Sequence, residues 1–285
     1  MPRVSYVNGR YVPHRRAAVH IEDRGYQFAD GVYEVIVVHN GQLIDQERHL
    51  DRLERSLREL SIPMPIARRA MCVVFSQMVR RNLLKSGLLY FQVTRGVAPR
   101  NHGFPENVSP AFVVTARSTP PFNKEATLKG VKVITSPDIR WKRCDIKTVS
   151  LLPNVILKQK ATEAGAFETW MIDDKGFVTE GTASNAWIVT KEQEVLTRRT
   201  GPEILAGITR ISVIEIAKQH GLTFQERAFT REEALNAEEA FITSASSFVK
   251  PVTHIDDQSV GQGKAGKLSM SLLEWYVSYM EKGSG

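Results

Sequence analysis

At 285 residues, with 42% hydrophobic and 24% charged positions, the chain has the make-up of a globular protein large enough for two domains. No apolar run approaches the roughly 20 residues that cross a bilayer, and residues 1–6 hold one arginine and no apolar stretch, so neither a membrane span nor a secretory signal is expected and a cytoplasmic protein is. The net charge of +7 raises the question of nucleic acid, yet the basic residues alternate with acids, as in Glu47-Arg48-His49-Leu50-Asp51-Arg52-Leu53-Glu54-Arg55. A generally basic surface that favours small anions fits as well; no nucleic-acid partner is expected, and a basic binding protein is an alternative that only the charge suggests. Cys72 and Cys144 read as reduced thiols, and the scattered histidines give no metal-ligand spacing, so no metal is expected.

Taken in order, residues 4–12 read as a hairpin around Asn8-Gly9, and 31–44 as a second around Asn40-Gly41, because that dipeptide suits a tight turn with positive φ. Leu50, Leu53, Leu57 and Leu60 recur at helical spacing, which predicts a helix over 48–60, ended before Pro63. A second helix is predicted over 66–84, with Met71, Val74, Phe75, Met78 and Val79 facing inward. Strands follow at 88–94 and 110–116, separated by a loop over 95–105. Residues 118–126 (Ser-Thr-Pro-Pro-Phe-Asn-Lys-Glu-Ala) form the best linker, which predicts domains at 1–120 and 121–285. In the second, strands are predicted at 131–135, 168–172, 177–179, 186–189 and 240–243, and helices at 152–164, 207–220 and 268–280. The class is α+β with mostly antiparallel strands.

Several short motifs suggest chemistry, each with a plainer alternative. Gly261-Gln262-Gly263-Lys264-Ala265-Gly266 matches a dinucleotide fingerprint, but no strand–helix unit surrounds it, so it reads as a glycine-rich turn. Gly207-Ile208-Thr209-Arg210 opens a helix whose free amides and hydroxyl can bind an anion, or simply cap the helix. Thr243-Ser244-Ala245-Ser246-Ser247 ends a strand with four hydroxyls, which can complete a phosphate cradle or stay solvated. Arg52, near the start of the first long helix, can reach a phosphate or pair with Asp51 or Glu54. Arg100-Asn101-His102 puts a fixed cation and a tunable donor on one loop, where both can reach one carboxylate. Lys147, after Cys144-Asp145-Ile146, would on its own be an ordinary solvated lysine.

The order of these motifs is more specific than any one of them. Glu22-Asp23-Arg24-Gly25-Tyr26-Gln27-Phe28-Ala29-Asp30-Gly31-Val32-Tyr33-Glu34, His49-Leu50-Asp51-Arg52-Leu53, the Lys147 stretch with Asn154, Glu180-Gly181-Thr182-Ala183-Ser184-Asn185 and Gly207-Ile208-Thr209-Arg210 run along nearly the whole chain. Together they resemble the fold-type IV (class IV) pyridoxal-phosphate aminotransferases. Tyr26-Gln27-Phe28, the 95–102 loop and the 140–147 stretch resemble most closely the D-amino-acid branch of that family.

The resemblance implies two α/β domains with pyridoxal 5′-phosphate in the cleft between them. It implies that Lys147 binds the cofactor covalently and is the catalytic residue, and that Glu180 pairs with the pyridine nitrogen. Arg52, Ile208 and Thr209 would hold the phosphate and Leu205 would pack on the ring. Tyr33, Arg100 and His102 would trap the substrate α-carboxylate, the last two reaching in from a second subunit of a homodimer. The substrates implied are amino acids, D-alanine-like, and 2-oxo acids such as 2-oxoglutarate or pyruvate. Ala245 stands where relatives often carry threonine, so Ser244 or Ser246 is expected to supply that phosphate contact. A branched-chain L-aminotransferase, an (R)-amine transaminase and an aminodeoxychorismate lyase share this fold and are the alternatives, against which Arg100-Asn101-His102 speaks.

Overall fold

The structure, a computed structural model, describes residues 3–282. They form two compact units: the first takes the described chain up to Pro121 together with Ile146–Ser150, and the second comprises Phe122–Asp145 and Leu151–Lys282.

The first unit is built on the strands β1 (Val4–Val7), β2 (Arg10–Pro13), β3 (Gly31–His39), β4 (Gln42–Leu43), β5 (Gly87–Thr94) and β6 (Ala111–Ser118). They make an antiparallel sheet in the order β2-β1-β6-β5-β3-β4. Both hairpins turn at the expected dipeptides, with Asn8 and Gly9 at φ 43° and 90° and Asn40 and Gly41 at 51° and 80°. Between the hairpins lies a short helix, α1 (Arg24–Phe28), whose start is capped by the Asp23 carboxylate accepting from Gly25 N. The long helices α2 (Gln46–Glu59) and α3 (Arg68–Arg81) bury Leu50, Leu53 and Leu57, and Met71, Val74, Phe75 and Met78, against Val32, Ile36, Phe91 and Val114 of the sheet.

In this division Lys147 groups with the first unit, whereas the sequence places it within 121–285. Tyr33 N donates to Lys147 O and Val149 N to Gly31 O, at 3.0 and 3.1 Å. Ile146 is buried in the apolar core of the first unit. The five residues therefore belong with β3. The linker 118–126 is also shorter than expected. Ser118 ends β6, and the Asn123 side chain caps a helix α4 (Lys124–Leu128) by accepting from Ala126 N.

The second unit continues with β7 (Val131–Pro137), α5 (Leu152–Glu163), β8 (Glu168–Ile172), β9 (Val178–Gly181), β10 (Asn185–Val189), β11 (Val195–Thr197), α6 (Ile208–Gln219) and β12 (Phe224–Glu226). It closes with α7 (Arg231–Leu235), β13 (Glu239–Ser244), β14 (Phe248–Ile255), β15 (Gln258–Ser259) and α8 (Lys267–Glu281). One sheet runs β12-β11-β10-β13-β14-β7-β8-β9, with β15 pairing β14. The pairs β11/β12, β7/β14 and β7/β8 are parallel, so the sheet is mixed. Residues 261–266 are a turn, with Gly261 and Gly263 at positive φ. The helix after it, α8, has its first amides occupied, because the buried Glu239 carboxylate accepts from Leu268 N and Ser269 N at 2.7 and 2.8 Å. A phosphate has no place at that helix start. Among the described residues no helix is long and apolar enough to cross a membrane, and no cluster of metal ligands occurs.

Candidate active site

The expected site residues fall in both units. Tyr33, Arg52, Arg100, His102 and Lys147 are in the first. Glu180, Leu205, Ile208, Thr209, Ser244 and Ser246 are in the second.

In the first unit β3 does two jobs on its two faces, because neighbouring side chains of a strand point opposite ways. Tyr33 is half-buried and stacks on Tyr90 with ring centroids 5.7 Å apart. Burial and the neighbouring Tyr33 push the Tyr90 phenol up to about 12. Lys147 Nζ lies 4.3 Å from the centre of the Tyr33 ring, and its backbone is tied to Tyr33 on one side and, through N–H to Ser56 Oγ at 3.4 Å, to α2 on the other. The lysine head is thus presented on a fixed stretch of main chain.

Glu34, on the core face, is fully buried and takes two bonds from Arg52, Nε to Oε1 at 2.7 Å and Nη2 to Oε2 at 2.8 Å. His49 Nδ1 meets Oε2 at 2.7 Å. Burial alone would raise the Glu34 carboxyl, but the charges and hydrogen bonds of Arg52 and His49 outweigh it and bring it to about 2. Burial, reinforced by the Arg52 charge, moves His49 below its ordinary value despite Glu34, so the neutral ring is favoured. Arg52 thus pairs with a carboxylate of the strand, a partner its own helix does not offer. The bidentate bond fixes the plane of its guanidinium.

Arg100 and His102 are exposed and gather on Phe28, the guanidinium 4.6 Å and the imidazole 5.4 Å from the ring centre. They are brought together with each other and not onto Tyr33. The loop carrying them rests on Arg24, a buried residue the motif reading did not single out for a role. Its Nη1 donates to Asn101 O at 2.6 Å and its Nη2 to His102 O at 3.4 Å.

In the second unit Glu180 lies near the end of β9 and is buried. Arg140 Nη1 donates to Oε1 at 2.5 Å, Asn185 Nδ2 to Oε2 at 3.0 Å, and Leu205 N to both oxygens at 3.2 Å. Arg140 also holds Asp138, whose carboxyl is lowered because these bonds and charge overcome its burial. Arg140 was missed in the sequence, where it looks like one more basic residue of Arg140-Trp141-Lys142-Arg143. Nearby Cys144 is pushed up to about 11, mainly by burial, and stays a thiol at neutral pH.

The turn between Glu180 and Asn185 is rigid. The buried Glu168 carboxylate accepts from Thr182 N at 3.1 Å, from the Thr182 hydroxyl and from Ser184 Oγ at 3.0 Å. Asn154 Nδ2 donates to Thr182 O at 2.8 Å, which ties α5 to the same turn. Asn185 then links Glu180 to the start of α6, since its Nδ2 also donates to Leu205 O at 2.9 Å.

Helix α6 begins at Gly207 with no side-chain cap, and Ile208 and Thr209 in its first turn are buried. A helix start of this kind offers backbone amides to an anion. Asn185 pairs with Thr243 across β10 and β13, so Ser244 is the next residue along the neighbouring strand. Ser244 Oγ accepts from Ser247 N at 3.1 Å, whereas Ser246 sits exposed at the tip of the β13–β14 turn. Arg210 takes no part in an anion site; it is buried and bound to Arg198 O and the Glu226 carboxylate.

Gly207 is required by space rather than by conformation. Its φ of −64° suits any residue, but an added Cβ would lie 2.1 Å from Asn185 Oδ1. Asn185 is pinned by its two bonds and cannot step aside. Gly207→Ala is expected to cost about 1–3 kcal/mol of overpacking, read as a lowered midpoint in thermal unfolding.

Each unit has its own features of this kind: the first a lysine amine on a fixed backbone, the second a buried carboxylate and an uncapped helix start beside hydroxyls, of which the latter two suit a basic ring nitrogen and a phosphate. The comparisons agree. Residues 31–255 match the family model for amino-transferase class IV. A D-alanine aminotransferase of Bacillus licheniformis is 45% identical over 266 residues, covering 93% of each chain. One from Staphylococcus aureus (strain MSSA476) is 38% identical over 282 residues, covering 98% of each. Among solved structures, a branched-chain amino acid aminotransferase from T.th., with pyridoxamine 5′-phosphate, superposes with a TM-score of 0.92 at 26% identity, covering 98% of this chain and 94% of that one. The chain belongs to the class IV aminotransferase family.

Proposed function

We propose that this aminotransferase uses pyridoxal 5′-phosphate to exchange the amino group of a D-amino acid, D-alanine or a close analogue, with a 2-oxo acid such as 2-oxoglutarate or pyruvate. The relatives named D-alanine aminotransferase support the substrate class. One observation carries the chemistry. Glu180 is a buried carboxylate ringed by donors from Arg140, Asn185 and Leu205, so its acceptor oxygens are fixed in position for a ring nitrogen to donate to them.

When bound, pyridoxal phosphate supplies the aldehyde that carries the amino group and an electron-withdrawing ring. Lys147 Nζ is the covalent attachment point and the base that removes the proton from the substrate Cα. A free lysine has a pKa of about 10.4 and is a poor base at neutral pH, so its activation comes with that attachment. Arg52, Ile208, Thr209, Ser244 and Ser246 receive the phosphate, Ser244 and Ser246 making up for Ala245. Leu205 covers the ring. Tyr33, with Arg100 and His102 from a second subunit, holds the substrate carboxylate. Holding it on that side turns the Cα–H of the D-enantiomer toward Lys147. The exposed positions of Arg100 and His102 support a homodimer, and the two free thiols support a cytoplasmic enzyme.

Glu180→Gln keeps the shape and removes the charge. It is expected to lower kcat roughly 100-fold while KM changes by less than about threefold, because the lost interaction strengthens as charge develops on the ring. Full turnover in this variant would overturn the role. Rates with D-alanine against L-leucine, with 2-oxoglutarate as acceptor, test the substrate class. Preference for L-leucine would favour the branched-chain reading, whose members share the fold.

A further inference from the structure

Arg24 opens α1, a helix too short to hold anything by itself, yet its guanidinium is buried and fully engaged. Nε donates to Asp30 Oδ2 at 2.8 Å, Nη1 to Asn101 O at 2.6 Å and Nη2 to His102 O at 3.4 Å. Its Cζ lies 4.8 Å from the centre of the Phe28 ring, the ring on which Arg100 and His102 also rest. Asp30 is in turn held by Arg95, Nε to Oδ2 at 2.8 Å and Nη2 to Oδ1 at 3.0 Å. Arg95 reaches the end of α2 by donating to Leu60 O and Ser61 O. A continuous run of charge-assisted bonds thus connects the long helix of the first unit to two consecutive carbonyls of an exposed loop.

Those carbonyls are telling. Asn101 and His102 are the residue between the two proposed carboxylate-binding side chains and one of the pair. Fixing both carbonyls sets the direction from which Arg100 and His102 leave the backbone. Asn101 tightens the same point, its Oδ1 accepting from Gly103 N at 3.0 Å. An exposed loop of polar residues is ordinarily mobile. Bonds from a charged donor are roughly twice as strong as neutral ones, and a pre-set loop loses less entropy on meeting its ligand.

We propose that Arg24 is the positioning residue that holds Arg100 and His102 in their carboxylate-binding arrangement, and that it acts on the site of the partner subunit. This rests on the reading that Arg100 and His102 bind the substrate carboxylate across a homodimer. It makes Arg24 a determinant of substrate affinity and not of chemistry.

The test uses the holoenzyme dimer and three variants. Arg24→Met is expected to raise KM for D-alanine about tenfold or more, the size of one lost charge-assisted bond, with kcat within about threefold. The visible cofactor band at rest stays unchanged. Binding of propionate, a carboxylate with no amino group, read by titrating that band, weakens by a similar factor. Arg24→Lys, which can keep one of the two carbonyl bonds, falls between; if Arg24→Met does not fold, an unchanged KM in Arg24→Lys overturns the proposal. A hybrid dimer of one Arg24→Met and one Lys147→Ala subunit places the only working lysine opposite an intact loop, so the ordinary KM returns. A hybrid that keeps the high KM overturns action across the dimer, and a loss of kcat and band without a change in KM or propionate binding overturns the positioning role. Arg100→Ala separates the two levels: an unchanged KM there overturns the carboxylate reading and the proposal with it, whereas a raised KM there but not in Arg24→Met overturns the proposal alone.

Discussion

Lys147→Ala is expected to reduce turnover of D-alanine with 2-oxoglutarate by roughly 10⁴-fold, with the protein still folded. The size follows from removing the proton-transfer group and the covalent attachment together. Folding survives because the bonds that seat this stretch are main-chain ones. Tyr33 N donates to Lys147 O, and Lys147 N reaches Ser56 Oγ, whatever side chain sits at 147. What the fold loses is the ammonium over the Tyr33 ring, worth about 0.5–1 kcal/mol at a half-exposed site. Single-turnover kinetics, the visible band and a thermal melt together check this. Loss of the band with an unchanged melt supports the assignment, and a variant that keeps both band and turnover refutes it.

The largest effect on stability is expected at Glu34, which touches no substrate. Glu34→Ala leaves the Arg52 guanidinium buried with its bidentate partner gone and strands His49 beside it. Removing one partner of a buried pair costs about 3–5 kcal/mol, or about 10 °C in the unfolding midpoint of a protein this size. Arg52 would also lose the bond that fixes its plane, and under its proposed phosphate role cofactor affinity falls with it. Acid titration gives an independent signature. Glu34 is lowered from an ordinary 4.5 to about 2 on folding. The unfolded chain therefore binds that proton first as pH falls, and the stability from Glu34 is present above about 4.5 and lost as pH drops toward 2. His49 is also lowered, chiefly by burial, so the unfolded chain protonates it first too and stability starts to fall below its ordinary 6.5. In Glu34→Ala the limb between 4.5 and 2 should flatten, as read from denaturant midpoints across pH. An acid limb identical to the parent's would show that the pair does not carry this stability.

The same pair shows where the sequence stops being readable. Turns and helices announce themselves locally. Asn8-Gly9 and Asn40-Gly41 specify positive φ at two consecutive residues, and the leucines of α2 mark its buried face. Glu34 and Arg52 were both visible in motifs, but nothing in their spacing says that one bonds the other, because strand and helix periods carry no information about which side chains meet across a core. Arg140 and Arg24 were hidden for the same reason: an arginine among polar and charged neighbours looks solvated until its carboxylate or carbonyl partner is placed. Of the elements left unread, α1, α4, α7, β11, β12 and β15 are short, and β14 carries Pro251, which argues against an interior strand on local grounds. The three parallel pairings of the second sheet are long-range and leave no periodic trace. The motif order, by contrast, was legible along nearly the whole chain, since chemistry constrains residue identity where packing constrains only character.

The grouping of Ile146–Ser150 with the first unit bears on how this chain can be made. A ribosome that has released everything up to Pro121 has not yet delivered the segment that completes the first core. Until then Ile146 is missing from that core, and the Tyr33 amide and Gly31 carbonyl await Lys147 and Val149. The twenty-four residues between, Phe122–Asp145, belong to the other unit. Synthesis order and assembly order are therefore interleaved, and the last piece to lock into the earlier unit is the one that carries Lys147.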